Sequence, residues 1–332
     1  MLLAALACVL LPATALAQKR SPEPAEGNSN RATVLHTANV YAIADSADPP
    51  LTTIVPGREL VINSRNGAWV NVFGNTDTKE ENPDEKPEFT DPRAEGANPA
   101  SGWIRDKGIV GPRTPQGDQL LFGAAAELEA KAAEPHAPKD AAPSAQLLYR
   151  RVWEYFPDSP LAPEAAFRSA DIRWQIDKLD NSTLPSAHEQ EAYLRPQLFE
   201  GELKRVIKFY PSSPDAARAA FDLIDNRLCG DWQGLPKCPE METGLYLKYA
   251  DRYPNGPKTA EALYNAVYRQ GVLVTMYQVD ENKHKADAAA QNCASLVARM
   301  QKDYAGSDFT QRAASIAYRV SQGISIYGSD RD

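Results

Sequence analysis

Few side chains in this sequence stand where they could do chemistry together. His188-Glu189 begins like the HExxH motif of zinc proteases, but the second histidine would have to be at position 192, which is Ala192. None of the four histidines has further metal ligands at suitable spacing. The GxSxG, P-loop and GxGxxG motifs of hydrolases and nucleotide-binding proteins are missing as well. We therefore predict no catalytic residue, no metal ligand and no cofactor.

The first residues of the chain carry an export pattern. Residues 1–17 are an uncharged apolar run that ends in Ala15-Leu16-Ala17, so we expect a signal peptide cleaved before Gln18. The run is shorter than the roughly 20 residues of a membrane span, and Pro12 interrupts it. Lipidation at Cys8 is an alternative, but the neighbouring residues fit a lipoprotein motif poorly. The mature protein is expected to be periplasmic or secreted.

Export changes how the remaining cysteines are interpreted, because disulfides persist in an oxidising compartment. Cys229 and Cys238 bracket eight residues that include two glycines and a proline and must turn, which predicts a disulfide closing a short loop. A zinc site would need two more ligands, which the flanking sequence does not supply. Cys293 falls within a helical apolar pattern and is expected to be a buried thiol.

Composition limits the possible partners. The 332 residues include 36 basic and 44 acidic side chains, for a net charge of −8. That balance leaves no cationic excess for a phosphate backbone, so a nucleic-acid partner is not expected. A mean hydropathy of −0.47 argues against a polytopic membrane protein. The length allows two or three domains.

The first part of the mature chain has the pattern of a small β domain. Residues 18–30 are polar and rich in Pro, Gly and Ser, as in a flexible linker. Between 31 and 112, short apolar runs alternate with turn signals and predict six strands, and Asn66-Gly67 predicts a type I′ hairpin turn. The insertion at 75–100 holds eight acids, three bases and one large apolar residue, which predicts a disordered acidic loop. A calcium site there lacks the DxDxDG spacing.

These β segments resemble a known family. Asn39-Val40-Tyr41, the runs 54–60 and 66–72, and Gly102-Trp103-Ile104 are similar to the bacterial SH3-like barrel of exported proteins. The resemblance covers about 80 residues and is interrupted by the acidic insertion. It implies a barrel that binds cell-wall material or peptide.

From residue 115 to 332 the sequence changes to helical periodicity with an internal repeat. The repeat is anchored at Pro157, Pro211, Pro254 and Ala305. In every copy the residue before the anchor is aromatic, the residues five and eight before it are apolar, and the residue eight after it is alanine. This pattern predicts two helices joined by a turn, with the alanine at a close helix contact. A further helix from about 119 to 134 should pair with the first unit.

The repeat resembles the tetratricopeptide repeats of bacterial envelope proteins over about 200 residues. The resemblance implies an all-α solenoid of helical hairpins that presents a concave surface to a protein partner. Most aromatic residues of the repeat should pack its helices together. Three aromatic residues outside the pattern are the predicted exposed binding residues: Trp174, Trp232 in the cysteine-bounded loop, and Tyr327 near the C-terminus.

The expected fold class is α+β multidomain, with a small all-β SH3-like barrel followed by an all-α solenoid of helical hairpins. The expected function is that of a non-enzymatic exported scaffold or adaptor of the bacterial cell envelope, which binds a protein partner through the repeats and cell-wall peptidoglycan or peptide through the barrel. One alternative is a peptidoglycan-targeted hydrolase or an accessory subunit of one, because lytic enzymes commonly pair such barrels with a catalytic domain. Another is a purely structural repeat protein whose barrel caps the solenoid.

Overall fold

The structure is a computed structural model that describes residues 30–76 and 98–328. The expected signal peptide, almost all of the expected linker and most of the acidic insertion lie outside the described residues. Within them, the mixed α+β character of the sequence is confirmed, with antiparallel β structure first and helices after it. No helix in this part of the chain combines the length and the apolar character that crossing a membrane requires.

Seven short strands form the N-terminal region. Five make one antiparallel sheet in the order β6-β5-β4-β1-β7, and β2 pairs with β3. The strands are β1 (Arg31–Val34), β2 (Ala38–Val40), β3 (Thr52–Ile54), β4 (Glu59–Asn66), β5 (Trp69–Gly74), β6 (Ala100–Arg105) and β7 (Ile109–Val110). All six expected strands are present, and β7 is additional. Alternation along β5 buries Val70 and Val72 in the core of this region, while Phe73 is exposed on the other face.

The hairpin between β4 and β5 turns one residue later than the sequence predicts. Asn66 pairs with Trp69, so the two turn residues are Gly67 and Ala68. Gly67 has a φ of 57°, whereas Ala68 is not in the positive-φ region. The expected type I′ turn at Asn66-Gly67 is therefore wrong. A glycine with positive φ at the first turn position is typical of type II′.

Helices make up the rest of the described chain. Nine α-helices are present in these residues: α1 (Gly117–Ala132), α2 (Ala141–Tyr155), α3 (Ala162–Asn181), α4 (Gly201–Phe209), α5 (Pro214–Asp222), α6 (Lys237–Arg252), α7 (Thr259–Val279), α8 (Lys283–Asp303) and α9 (Asp308–Ser321). Helix α1 packs on α2, as expected. The segments between α3 and α4 and between α5 and α6 contain short 3₁₀ turns at Pro185–His188, Ala192–Leu194 and Asp225–Arg227.

Four helix junctions share one geometry, at the ends of α2, α4, α6 and α8. The helix in each case stops at an aromatic residue whose N–H donates to the carbonyl four residues earlier, and whose own carbonyl accepts from the N–H three residues later. These residues are Phe156, Tyr210, Tyr253 and Tyr304. The aromatic position of the sequence repeat is therefore the C-terminal cap of a helix in every copy.

The apolar positions of the repeat form the core between paired helices. The residues five and eight before each anchor are buried in all four copies, and the alanine eight after it is fully buried: Ala165, Ala219, Ala262 and Ala313. Consecutive helices pack on each other from α1 to α5 and from α6 to α9, and α3 also contacts α5 as α7 contacts α9. Helices α5 and α6 meet through side chains: Phe221 of α5 packs on Tyr246 and Tyr249 of α6, with ring centroids 6.0 and 5.3 Å apart.

Candidate functional site

Two of the three predicted binding residues are buried. Trp174 and Trp232 are each only 1% exposed, so the expectation that they are exposed recognition residues is wrong. Trp174 lies on α3 and packs with Phe167, Leu198 and Leu203. Leu198, which shares this buried cluster with Trp174, comes from the segment between α3 and α4.

Trp232 is covered by a different route, within the loop that the two cysteines close. Cys229 and Cys238 are bonded, as predicted, with their Cα atoms 6.0 Å apart. The indole Nε1 of Trp232 donates to Glu242 Oε1 at 3.2 Å, and the same oxygen accepts from the Cys229 N–H at 2.8 Å. The loop is therefore tied to α6 by one buried carboxylate as well as by the disulfide.

The Glu242 carboxylate is held in turn by a buried arginine on α7. Arg269 Nε donates to Glu242 Oε2 at 2.8 Å, and both side chains are fully buried. The guanidinium carbon lies 4.4 Å from the ring centre of Tyr246 and 5.7 Å from that of Trp232. Both charges are desolvated, so moving either partner would leave the other charge unpaired in the interior. Arg269 and Glu242 thus set the position of the loop on the helices.

The segment between α3 and α4 meets the same loop from the other side. The Gly230 N–H donates to the Glu189 carbonyl at 3.2 Å, and Gln190 Nε2 donates to the Trp232 carbonyl at 3.3 Å. Gly230 is required at this contact, because a Cβ there would lie 2.3 Å from the Glu189 carbonyl oxygen. The two segments that depart from the helical repeat therefore lie against each other.

A cleft of about 350 Å³ lies where these segments meet. It is lined by Glu191, Ala192, Tyr193, Gln197, Asn226, Arg227, Cys229, Lys237 and Met241. Tyr193 is 73% exposed and Met241 40%, and Leu194 and Leu235 beside them are exposed as well. We call this feature the disulfide cleft. Its walls offer apolar surface that a binding partner would cover.

The polar groups of the disulfide cleft are divided between structural and free ones. Asn226 is buried and bonds the backbone of Leu198 through both Nδ2 and Oδ1, at 2.9 Å each. Lys237 Nζ lies 2.6 Å from Glu191 Oε1, and this hydrogen bond raises the pKa of the lysine. Arg227 is exposed, and its guanidinium has no hydrogen-bond or ion-pair partner among the residues that the structure describes. The cleft therefore combines apolar side chains with one uncompensated cation, an arrangement suited to non-covalent binding.

Tyr327 lies elsewhere, in the tail that follows α9. It is 76% exposed, and its carbonyl accepts from the Tyr268 hydroxyl at 3.0 Å. The neighbouring Ile326 is buried, and its N–H donates to Thr275 Oγ1 at 2.9 Å, which fixes the tail on α7. The binding role of Tyr327 stays a prediction, and the residue does not line the disulfide cleft.

Cys293 and the acidic residues add no chemistry to this site. Cys293 is buried on α8, and burial raises the pKa of its thiol to about 11. Within 30–76 and 98–328 no three His, Cys, Asp or Glu side chains are grouped so that they could hold a metal ion.

Tyr193, Arg227 and Met241 are the cleft residues that sequence reasoning missed. Their only signal is a position in or beside the two segments that interrupt the repeat.

No protein-family model matches this sequence, and the curated proteins contain no significant match to it. The geometry of the disulfide cleft and of the repeated helix pairs is therefore the basis on which a function can be proposed.

Proposed function

We propose that this protein is a non-enzymatic exported adaptor of the bacterial cell envelope that binds a protein partner through its helical region. The observation that carries the proposal is the disulfide cleft, where exposed Tyr193 and Met241 stand on a base fixed by the buried Glu242–Arg269 pair. Tyr, Met and Arg are enriched in the cores of protein interfaces. A rigid base also favours binding, because little side-chain and loop entropy is lost when a partner docks.

The repeated helix pairs support the same proposal. Four helix pairs share one junction geometry, and a stack of such pairs is what the resemblance to tetratricopeptide repeats implies. Repeat proteins of this kind use their extended surface for protein recognition. The Cys229–Cys238 disulfide is compatible with export to an oxidising compartment. By its resemblance to SH3-like barrels, the β region would add contact with cell-wall material or peptide.

Site-specific photo-crosslinking tests the proposal. A photoreactive phenylalanine analogue replaces Tyr193 in the full chain, and the matched control replaces Tyr318, which is also well exposed, on α9. In envelope extract we expect a discrete crosslinked protein from position 193 and none from position 318. Equal yields from the two positions, or none from either, would contradict partner binding at the cleft.

The non-enzymatic part of the proposal needs its own measurement. The purified protein is incubated with isolated peptidoglycan, and the supernatant is analysed for soluble muropeptides. We expect none above the level of a heat-inactivated sample. Muropeptide release would instead support the hydrolase that the sequence leaves as an alternative.

A further inference from the structure

The disulfide cleft combines one cation, unpaired within the described chain, with apolar side chains, and this combination favours a particular class of ligand. Two cations and one carboxylate line it, and the Glu191 carboxylate is already bonded to Lys237. The Arg227 guanidinium is left without a partner among the described residues and presents its donors at the cleft. Helix α6 begins at Lys237, so the partial positive charge of a helix start adds to the same wall.

The apolar part of the cleft comes from two segments of the chain. Tyr193 and Ala192 come from the segment between α3 and α4, whereas Met241 comes from the second turn of α6. A volume of about 350 Å³ is at the lower end of the range for small-ligand pockets, which suits a single large side chain better than an extended cofactor.

We propose that the disulfide cleft binds an extended peptide segment in which a large apolar side chain stands next to an acidic residue. The apolar side chain packs between Tyr193 and Met241, and the acidic side chain accepts hydrogen bonds from the Arg227 guanidinium. This inference rests on the proposed function, because it names the class of partner that the adaptor takes. The commitment to an acidic segment follows from charge complementarity, since an arginine fork pairs with a carboxylate through two parallel hydrogen bonds.

Arg227 is the polar group of the cleft that is available to pair with the acidic residue of the peptide, because the other polar groups are already engaged. Asn226 is fully engaged with the backbone of Leu198, and Gln197 Nε2 donates to the Ala192 carbonyl at 2.7 Å. Lys237 can share its ammonium between Glu191 and a ligand carboxylate, but only at the cost of weakening an existing ion pair. Arg227 is thus the residue whose loss should matter most for the acidic position.

Fluorescence polarisation on the full chain tests this proposal with synthetic peptides. The probe is a fluorescein-labelled, C-terminally amidated Gly-Ser-Phe-Glu-Ser-Gly, compared with one counterpart in which Gln replaces Glu and another in which Ala replaces Phe. We expect saturable binding of the probe and a loss of about three- to tenfold in affinity with Arg227→Gln, the range of an ion pair at a partly exposed rim. The Gln peptide should bind the parent protein and the Arg227→Gln variant with the same weak affinity, because neither complex contains the arginine–carboxylate interaction.

Matched variants keep the test decisive. Arg113→Gln removes another exposed arginine, in the turn between β7 and α1, and should leave affinity unchanged. Met241→Ala should weaken the probe without changing its preference for Glu over Gln. Thermal melting of each variant checks that it is folded. Absence of saturable binding by the probe, or binding that is indifferent to Arg227 and to the peptide Glu, overturns the inference.

The two proposals can fail separately. If position 193 crosslinks a partner but the probe shows no dependence on Arg227, the adaptor function stands and the acidic recognition is wrong. If position 193 captures nothing and the probe does not bind, the adaptor function at this cleft fails together with the inference.

Discussion

At the scale of single residues, the Glu242–Arg269 pair is the point on which the disulfide cleft depends. Glu242 accepts hydrogen bonds from the loop backbone and from Trp232 while it neutralises Arg269. Removing one partner of a buried ion pair leaves the other charge uncompensated, which typically costs about 3–5 kcal/mol. Glu242→Gln should therefore lower the free energy of unfolding by that amount, measured by urea denaturation.

A surface ion pair provides the control for this prediction. Asp251 and Arg299 lie 3.0 Å apart, but the Asp251 side chain is largely exposed. Asp251→Asn should cost less than about 1 kcal/mol, because solvent screens such pairs. If both variants lose the same stability, the buried pair does not hold the loop as described.

Asp222 should make the free energy of unfolding depend on pH. It ends α5, and its Oδ2 is buried with no hydrogen-bond partner within the described chain. Burial, followed by the charges of Asp171 and Asp225, raises its pKa from 3.8 to about 7, against the opposing effect of Lys258 and Lys178. The folded protein therefore keeps this proton over a pH range in which the unfolded chain has released it.

The sign of the effect follows from proton linkage. Protonated Asp222 contributes stability that is fully present below pH 3.8 and is lost as pH rises towards about 7. Asp222→Asn, which cannot ionise, should be more stable than the parent by about 1–3 kcal/mol near pH 8, and the difference should vanish near pH 4. Denaturation at several pH values measures this. A stability difference between Asp222→Asn and the parent that does not change with pH would contradict the assignment.

At the scale of elements, the fully buried alanine of each repeat sets how closely paired helices approach. Ala262 of α7 lies in a cluster with Tyr246 and Tyr249 of α6. A leucine there must displace packed rings, and overpacking of this kind typically costs about 1–3 kcal/mol. Ala262→Leu should therefore lower the melting temperature, whereas Ala298→Leu on the exposed face of α8 should leave it nearly unchanged. Equal melting temperatures for the two variants would show that the alanine contact is not close.

The elements also show why some features can be predicted from sequence and others cannot. The helix junctions are predictable because each depends on residues within one turn of the chain, such as the apolar residue at 152 and the aromatic cap at Phe156. The burial of Trp174 and Trp232 is not predictable in this way. Trp174 packs with Leu198 from one segment that interrupts the repeat, and Trp232 itself lies in the other such segment; neither segment has a periodicity of its own. The Glu242–Arg269 pair joins residues on two helices, and no local pattern marks it.

The disulfide cleft illustrates the same limit. Its disulfide is predictable, since nine positions separate Cys229 and Cys238 and the sequence between them must turn. The contact between that loop and the segment at 188–190 depends on how two interruptions of the repeat meet in space. Arg227 and Tyr193 become recognisable as site residues only after that contact is known. The hairpin turn lies one residue after the position that the sequence predicts, because strand register, set by pairing between β4 and β5, decides which residues turn.

At the scale of the whole molecule, the β region and the helices are joined by a buried contact on α2. Arg151 is buried, and its Nε donates to the Gly57 carbonyl at 3.0 Å. Its guanidinium also lies 3.9 Å from the buried Glu59 carboxylate, which Arg31 binds at 2.8 Å. Arg151 also pairs with Glu154 on α2, so two arginines and two carboxylates from β1, β4 and α2 neutralise one another at the join. We expect the two regions to unfold together because separating them would expose these groups and the packed surface around them.

Gly57 provides the sharpest test of this coupling. Its φ is 82°, and a Cβ would lie 2.5 Å from Leu147 Cβ and 2.7 Å from the Leu148 nitrogen on α2. Gly57→Ala thus combines backbone strain with a clash between the two regions. Gly67→Ala is the matched control, because Gly67 also has a positive φ, of 57°, but faces open space. The control should lose about 1 kcal/mol of stability from strain alone, and Gly57→Ala about 2 kcal/mol more.

In calorimetry the parent should show one unfolding transition, and Gly57→Ala should split this transition or broaden it towards lower temperature. Equal losses for the two variants, with a single sharp transition in both, would mean that the β region and α2 do not depend on each other for stability.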